Sequence, residues 1–143
     1  MRYIFLSEKF YDDYSNCLEI EHKRFRPYIM LILQIDNLTF ALPMRSHIKH
    51  KYAYITDAEN NCGVDYSKAV IINDEEKYIA KIKPNIRENE YKALFGKEYI
   101  ITKEFSKYLS NYKKSIIAKA DRTKYMYKYS TLKYFHKELN IGN

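Results

Sequence analysis

The chain has 143 residues, 46% of them hydrophobic, and 25 Lys and Arg against 18 Asp and Glu give it a formal net charge of +7. That length suits a single domain over residues 1–143, long enough to bury a core and short for two. No window reaches the roughly 18 apolar residues of a membrane span, the start Met1 to Glu8 meets charge too early for a secretory leader, and Cys17 and Cys62 form neither a CxxC pair nor a four-cysteine zinc set, so the expectation is a cytoplasmic protein with reduced thiols. A balance this basic favours a polyanionic partner: nucleic acid first, then an anionic membrane surface or an acidic protein.

Arg2 to Leu6 alternates weakly, as a short strand does. Ser7 is placed to cap a helix, and Phe10, Tyr14, Cys17 and Leu18 recur at helical spacing, predicting an amphipathic helix from Glu8 to about Ile20. After the charged stretch Glu21 to Arg26, the apolar run Tyr28 to Ile35 reads as a buried central strand bounded by Pro27 and the turn pair Asp36-Asn37. Leu38 to Met44 returns as the second arm of a hairpin, in which Pro43 must interrupt ladder hydrogen bonding or lie at an edge. Arg26 lies ten residues before the turn and His47 ten after it, so an antiparallel pair brings the two together. Further strands are expected over Tyr52–Ile55, Ala69–Ile72 and Tyr78–Ile82, with Gly63 supplying a positive φ or a close backbone approach. Helical spacing then predicts a helix over Ile86–Leu94 stopped by Gly96, a long amphipathic helix from Glu98 to Ala118, and a short final helix within Ser130–Leu139.

The chemistry concentrates in Phe40-Ala41-Leu42-Pro43-Met44-Arg45-Ser46-His47-Ile48-Lys49-His50-Lys51-Tyr52. The eight residues after Pro43 hold one hydroxyl, two imidazoles and three fixed cations, and no acid lies between Asp36 and Asp57. Such a segment suits a phosphodiester and offers no carboxylates for a Mg²⁺ site. RNA is cleaved without metal when its 2′-hydroxyl attacks the adjacent phosphorus; histidines suit the two proton transfers, Arg or Lys the phosphoryl charge, and Ser46 a hydrogen bond to a nonbridging oxygen. A loop that only grips phosphates has the same composition, so a noncatalytic RNA or DNA module, or an adaptor for an acidic protein, stays open on the residues alone. His47 and His50 lack a third ligand nearby in sequence, and no metal is expected. Arg45, Lys51 and Tyr28 are candidate RNA contacts, and Lys113, Lys114, Lys119, Arg122, Lys124 and Lys128 are either an RNA track or a solvated face.

The strings Arg26-Pro27-Tyr28-Ile29, Phe40 to Tyr52 as quoted, and Gly63-Val64-Asp65-Tyr66-Ser67-Lys68-Ala69-Val70-Ile71-Ile72, in this order, resemble the toxins of type III toxin-antitoxin systems, the ToxN/AbiQ/CptN family. The resemblance covers most of the chain and is densest over residues 26–72. It implies an α+β fold with a strongly bent antiparallel sheet, a MazF/Kid-like barrel core flanked by helices. It also implies a metal-independent, cofactor-free endoribonuclease that leaves 2′,3′-cyclic phosphate and 5′-hydroxyl ends. The implied partners are messenger RNA and a repeat-derived pseudoknot RNA that inhibits the toxin, closes with it into a ring of alternating protein and RNA, and serves abortive infection against phages. On this resemblance the catalytic set is Ser46, Arg26 and Lys49, with His47 or His50 in one proton transfer. Arg45 stands where some relatives have threonine, and neither histidine is shared by all members.

Overall fold

The structure, a computed structural model, describes residues 1–20, 27–118 and 127–141. Its elements run β1 (Arg2–Ile4), α1 (Glu8–Asp13), β2 (Met30–Ile35), β3 (Leu38–Arg45), β4 (Ala53–Asp57), β5 (Cys62–Asp65), β6 (Val70–Ile71), α2 (Glu75–Tyr78), α3 (Glu88–Leu94) and α4 (Glu98–Ala118), with 3-10 turns at Tyr66–Lys68 and Thr131–Phe135. The fold is α+β. All strand pairs are antiparallel, in the order β1-β2-β3-β5-β4 with β6 also on β3; β1 and β4 stay apart, so the sheet is not closed into a barrel among the described residues.

The β2–β3 hairpin forms as its sequence requires. Asp36 and Asn37 both take positive φ, 52° and 62°, the conformation of a tight turn whose twist matches the flanking strands. The resulting register sets Leu31 against Leu42 and Leu33 against Phe40, four side chains that are 0–2% exposed. Pro43 has a further effect. The Met44 amide donates to Ile29 O on the β2 side (2.8 Å), while Thr39 O accepts from Ile72 on the opposite side (2.8 Å). Backbone groups alternate along a strand, so the missing N–H of Pro43 faces the β5/β6 side. There the partner strand breaks: Val64 pairs Met44 and Val70 pairs Ala41, and between them the chain leaves β3 through the 3-10 turn Tyr66–Lys68, opposite Leu42 and Pro43.

Gly63 makes a close approach, since a Cβ built on it would lie 2.2 Å from Tyr54 O. α4 starts at Glu98 as expected and lays Ile101, Phe105, Tyr108, Leu109 and Tyr112 on the core, with the Phe105 ring 5.1 Å from Phe40 and 5.9 Å from Tyr66. At roughly 1.5–3 kcal/mol per large apolar side chain buried, this face rather than intrinsic propensity holds the helix. The C-terminal segment is tied to α4 by hydrogen bonds between Tyr108 and Ser130 (2.9 Å) and between the Tyr112 hydroxyl and His136 Nε2 (2.7 Å).

Several expectations are corrected. The helix capped by Ser7, which accepts from the Phe10 amide at 3.2 Å, ends at Asp13 rather than near Ile20. Asp12, Asp13, Ser15 and Asn16 are weak helix formers, and turns take over through Cys17 N to Tyr14 O and Ile20 N to Cys17 O. No named strand forms over Tyr78–Ile82: Asp74 caps the Lys77 amide, Glu75 and Glu76 fill the first turn, and α2 runs through Tyr78; beyond it Ile79 makes an isolated bridge to Leu6, with the Ala80 amide donating to Phe5 O (2.9 Å). The final helix is a 3-10 turn.

Gly63→Ala is expected to lower stability by about 1–3 kcal/mol, because the backbone carbonyl it meets cannot swing aside. Urea denaturation that returned the wild-type midpoint would show that β4 and β5 are not packed this closely.

Candidate functional site

The chain turns sharply where β3 ends. His47 adopts a left-handed conformation, φ 55°, held because its amide donates to Asn60 O (3.2 Å) and the Ile48 amide to Asn61 O (3.0 Å). Ile48 is 5% exposed and anchors the turn, leaving Ser46, His47 and Lys49 on the surface. Ser46 lies at the lip of an open groove shared with Tyr28, Arg45, Asn85, Arg87 and Asn89, so the segment before β2, the end of β3 and the start of α3 all contribute walls. Folding also brings two carboxylates, Asp57 and Glu90, to this groove. Asp57 is committed to its own turn, accepting from the Glu59 amide at 3.0 Å and the Asn60 side chain at 2.9 Å. Glu90 stands 3.9 Å from Arg87.

Beneath the loop lies a residue that the reading of residues 43–52 did not include. The Asp65 side chain is fully buried. Arg45 donates to its Oδ2 at 2.7 Å, His50 Nε2 lies 3.3 Å from each carboxylate oxygen, and Ser67 donates to Oδ1 through its hydroxyl (2.6 Å) and its amide (2.9 Å). Burial pushes the Asp65 pKa up, but the hydrogen bonds from His50, Ser67 and Arg45 outweigh it, and the net shift is downward. The Tyr52 amide donates to His50 Nδ1 (3.0 Å), which places the proton of the neutral ring on Nε2, facing Asp65. Both ring nitrogens are therefore committed within the fold. Ser67, Oγ 3.2 Å from the same Nε2, does not complete a hydrolase triad, because the carboxylate must orient the ring from Nδ1 and here it sits on Nε2.

The predicted site residues thus separate. Ser46, Tyr28 and Arg45 share the groove, and His47 and Lys49 follow Ser46 in sequence on the exposed turn. His50 and Arg45 act as braces on Asp65, with the Arg45 guanidinium also 5.8 Å over the Tyr28 ring. Lys51 faces another groove, with its Nζ 5.7 Å from the Tyr52 ring. Lys113 and Lys114 line a depression with Ile35 and Asp36 at the hairpin turn. The eight residues of β3, at roughly 3.3 Å each, set that turn on the order of 25 Å from Ser46. Lys128 holds its ammonium 5.5 Å from the Tyr129 ring while its carbonyl accepts from Lys133. Arg26, Lys119, Arg122 and Lys124 lie outside the described residues. Asn85, Arg87 and Asn89 were missed; a polar run around a helix start is common, and only the tertiary fold turns it toward Ser46. Comparison of the chain with family models, curated proteins and solved structures finds no match.

Asp65→Ala is expected to destabilise the fold by about 3–5 kcal/mol, the usual cost of leaving one member of a buried pair alone. The wild-type pair also carries a pH signature. A carboxyl whose folded pKa is lowered from 3.8 contributes stability that is fully present above that value and is lost as pH falls through the depressed folded value. Asp65→Asn should therefore flatten the stability profile below pH ~4, read by urea denaturation down to pH ~2.5; an acid limb identical to wild type would remove Asp65 from this role.

Proposed function

We propose that the chain is a metal-independent endoribonuclease toxin of the type III toxin-antitoxin kind, acting in the cytoplasm on messenger RNA and on the precursor of its own inhibitory pseudoknot RNA. The observation that carries this reading is the exposed Ser46 hydroxyl at the lip of a groove walled by Arg87, Asn85 and Asn89, beside the exposed His47 and Lys49. Among the described residues, no helix is long and apolar enough to cross a membrane. The division of one β3 edge between β6 and β5 supports the strong bend expected of a MazF/Kid-like sheet. The binding of the inhibitory RNA, the closed protein–RNA ring and the setting of abortive infection belong to the same reading, as does a catalytic role for Arg26.

In this reading the 2′-hydroxyl loses its proton, attacks phosphorus, and expels the 5′-oxygen, which takes up a proton. Ser46 donates a hydrogen bond to a nonbridging oxygen, and Lys49 and Arg87 offset the charge that develops there. Of the two histidines, His47 is favoured for proton transfer, because both nitrogens of His50 are already engaged by Asp65 and Tyr52. Of the groove's carboxylates, Asp57 is occupied with its turn and Glu90 faces Arg87, a poor donor set for a resident Mg²⁺.

The engagement of Arg45 and His50 also favours a second reading, a noncatalytic RNA-binding module, and one experiment separates the two. Purified protein incubated with RNA in EDTA should give 5′-hydroxyl and 2′,3′-cyclic phosphate ends, and Ser46→Ala should slow cleavage about 100-fold, the scale of one lost oxyanion donor, with an unchanged circular dichroism spectrum. Cleavage only with Mg²⁺, or equal activity in Ser46→Ala, would sink the mechanism; binding without cleavage would establish the module.

A further inference from the structure

A second groove lies between the start of β4 and α4. Its polar surface is Lys51, Lys107, Asn111 and Glu104, and its aromatic surface is Tyr52 and Tyr127. The two rings are half-buried, with centroids 5.8 Å apart, on a floor of Tyr108 and Tyr66, 5% and 4% exposed. The Tyr66 hydroxyl donates to Glu104 (2.7 Å), which fixes that carboxylate at the rim and leaves the exposed Lys51, Lys107 and Asn111 side chains facing solvent.

We propose that this groove binds single-stranded RNA, holding one or two nucleotides that flank those in the Ser46 groove. Aromatic faces beside ammonium groups are the means by which single strands are gripped without regard to sequence, through base stacking and phosphate neutralisation. Asn111 presents both a donor and acceptors, and Glu104 acceptors, so a stacked base meets groups able to read its edge. The position also fits. β3 and β4 are separated by β5 alone, and counting strand spacings and residue rises puts Ser46 and Tyr52 on the order of 15 Å apart, a few nucleotides of extended chain. His50 stands between the two grooves: its Nε2 faces Asp65 and thereby Arg45 of the first, and its Nδ1 accepts from Tyr52 of the second. A strand crossing from one groove to the other passes Lys49 and Lys51, the cations of the intervening loop.

This inference rests on the RNA reading of the Ser46 groove, and the test separates the two. The probe is a labelled single-stranded hexaribonucleotide carrying 2′-O-methyl groups, which can bind but cannot be cut by 2′-hydroxyl attack, followed by fluorescence anisotropy; cleavage is measured on the unmodified RNA. Lys107→Glu should raise the Kd at least ~10-fold and lower the slope of log Kd against log salt by about one unit, because an exposed phosphate contact is lost. Asn111→Ala should raise the Kd several-fold without changing that slope, and the single-turnover cleavage rate at saturating RNA should stay at the wild-type value in both variants. Wild-type Kd and salt slope in both variants would overturn the second groove while leaving Ser46-dependent cleavage standing. Lys107-dependent binding by a protein that cuts nothing would sustain the groove and remove the nuclease reading. A wild-type protein that does not bind the hexamer would overturn both.

Discussion

A single buried carboxylate organises the end of the sheet where the chain's basic loop emerges. Asp65 accepts hydrogen bonds from Arg45 and Ser67 and faces His50, so the last residue of β3, the loop that follows it and the 3-10 turn after β5 converge on one group. Desolvating that carboxylate is costly, and the cost is offset only because a guanidinium, an imidazole N–H, a hydroxyl and an amide all converge on it. The arrangement converts part of the chain's excess positive charge from a generic attractant into scaffolding: Arg45 and His50, which in sequence look like contacts for a polyanion, hold the loop in shape so that Ser46, His47 and Lys49 face outward.

The loop is fixed from the other side by weaker means. Backbone hydrogen bonds from His47 and Ile48 reach Asn60 and Asn61, and a left-handed His47 is tolerated because imidazole-bearing residues accept that conformation more readily than β-branched ones. The β4–β5 connection contributes as well, since a register shift between Ile55 and Asp57 leaves Thr56 unpaired against β5; an extra residue of this kind bends the strand and is frequent beside binding sites. The face around Ser46 is therefore built from backbone irregularities at three strand ends over a regular core.

What the sequence revealed and what it hid divide along physical lines. The Asp36-Asn37 turn, the Ser7 cap and the start of α4 were legible because each depends on residues within a few positions of one another, whereas the close approach of Gly63 to Tyr54 arises across a strand pair. The α2 helix was legible in principle, through Asp74 and the two glutamates after it, but the apolar alternation of Tyr78 to Ile82 competes with that signal. The partnership of Asp65 with Arg45 and His50 spans up to 20 residues and depends on register across a broken strand, which no local pattern reports. Likewise Lys113 and Lys114 read as an RNA track or a solvated face, and the direction of α4 carries them to the hairpin turn beside Ile35 and Asp36.

Pro43 has a consequence beyond its own pair of strands. Were an N–H present at that position, residues 62–71 could zip along β3 without a break, each pairing with the next residue in turn. Extending the β6 register in this way would set Asp65 opposite Ser46, past Arg45, and its three-residue offset from the observed β5 pairing would turn the strand's side chains to the other face. The imino acid withholds one donor that the uninterrupted alignment would use, a disadvantage of about 1 kcal/mol that the broken strand avoids at this corner.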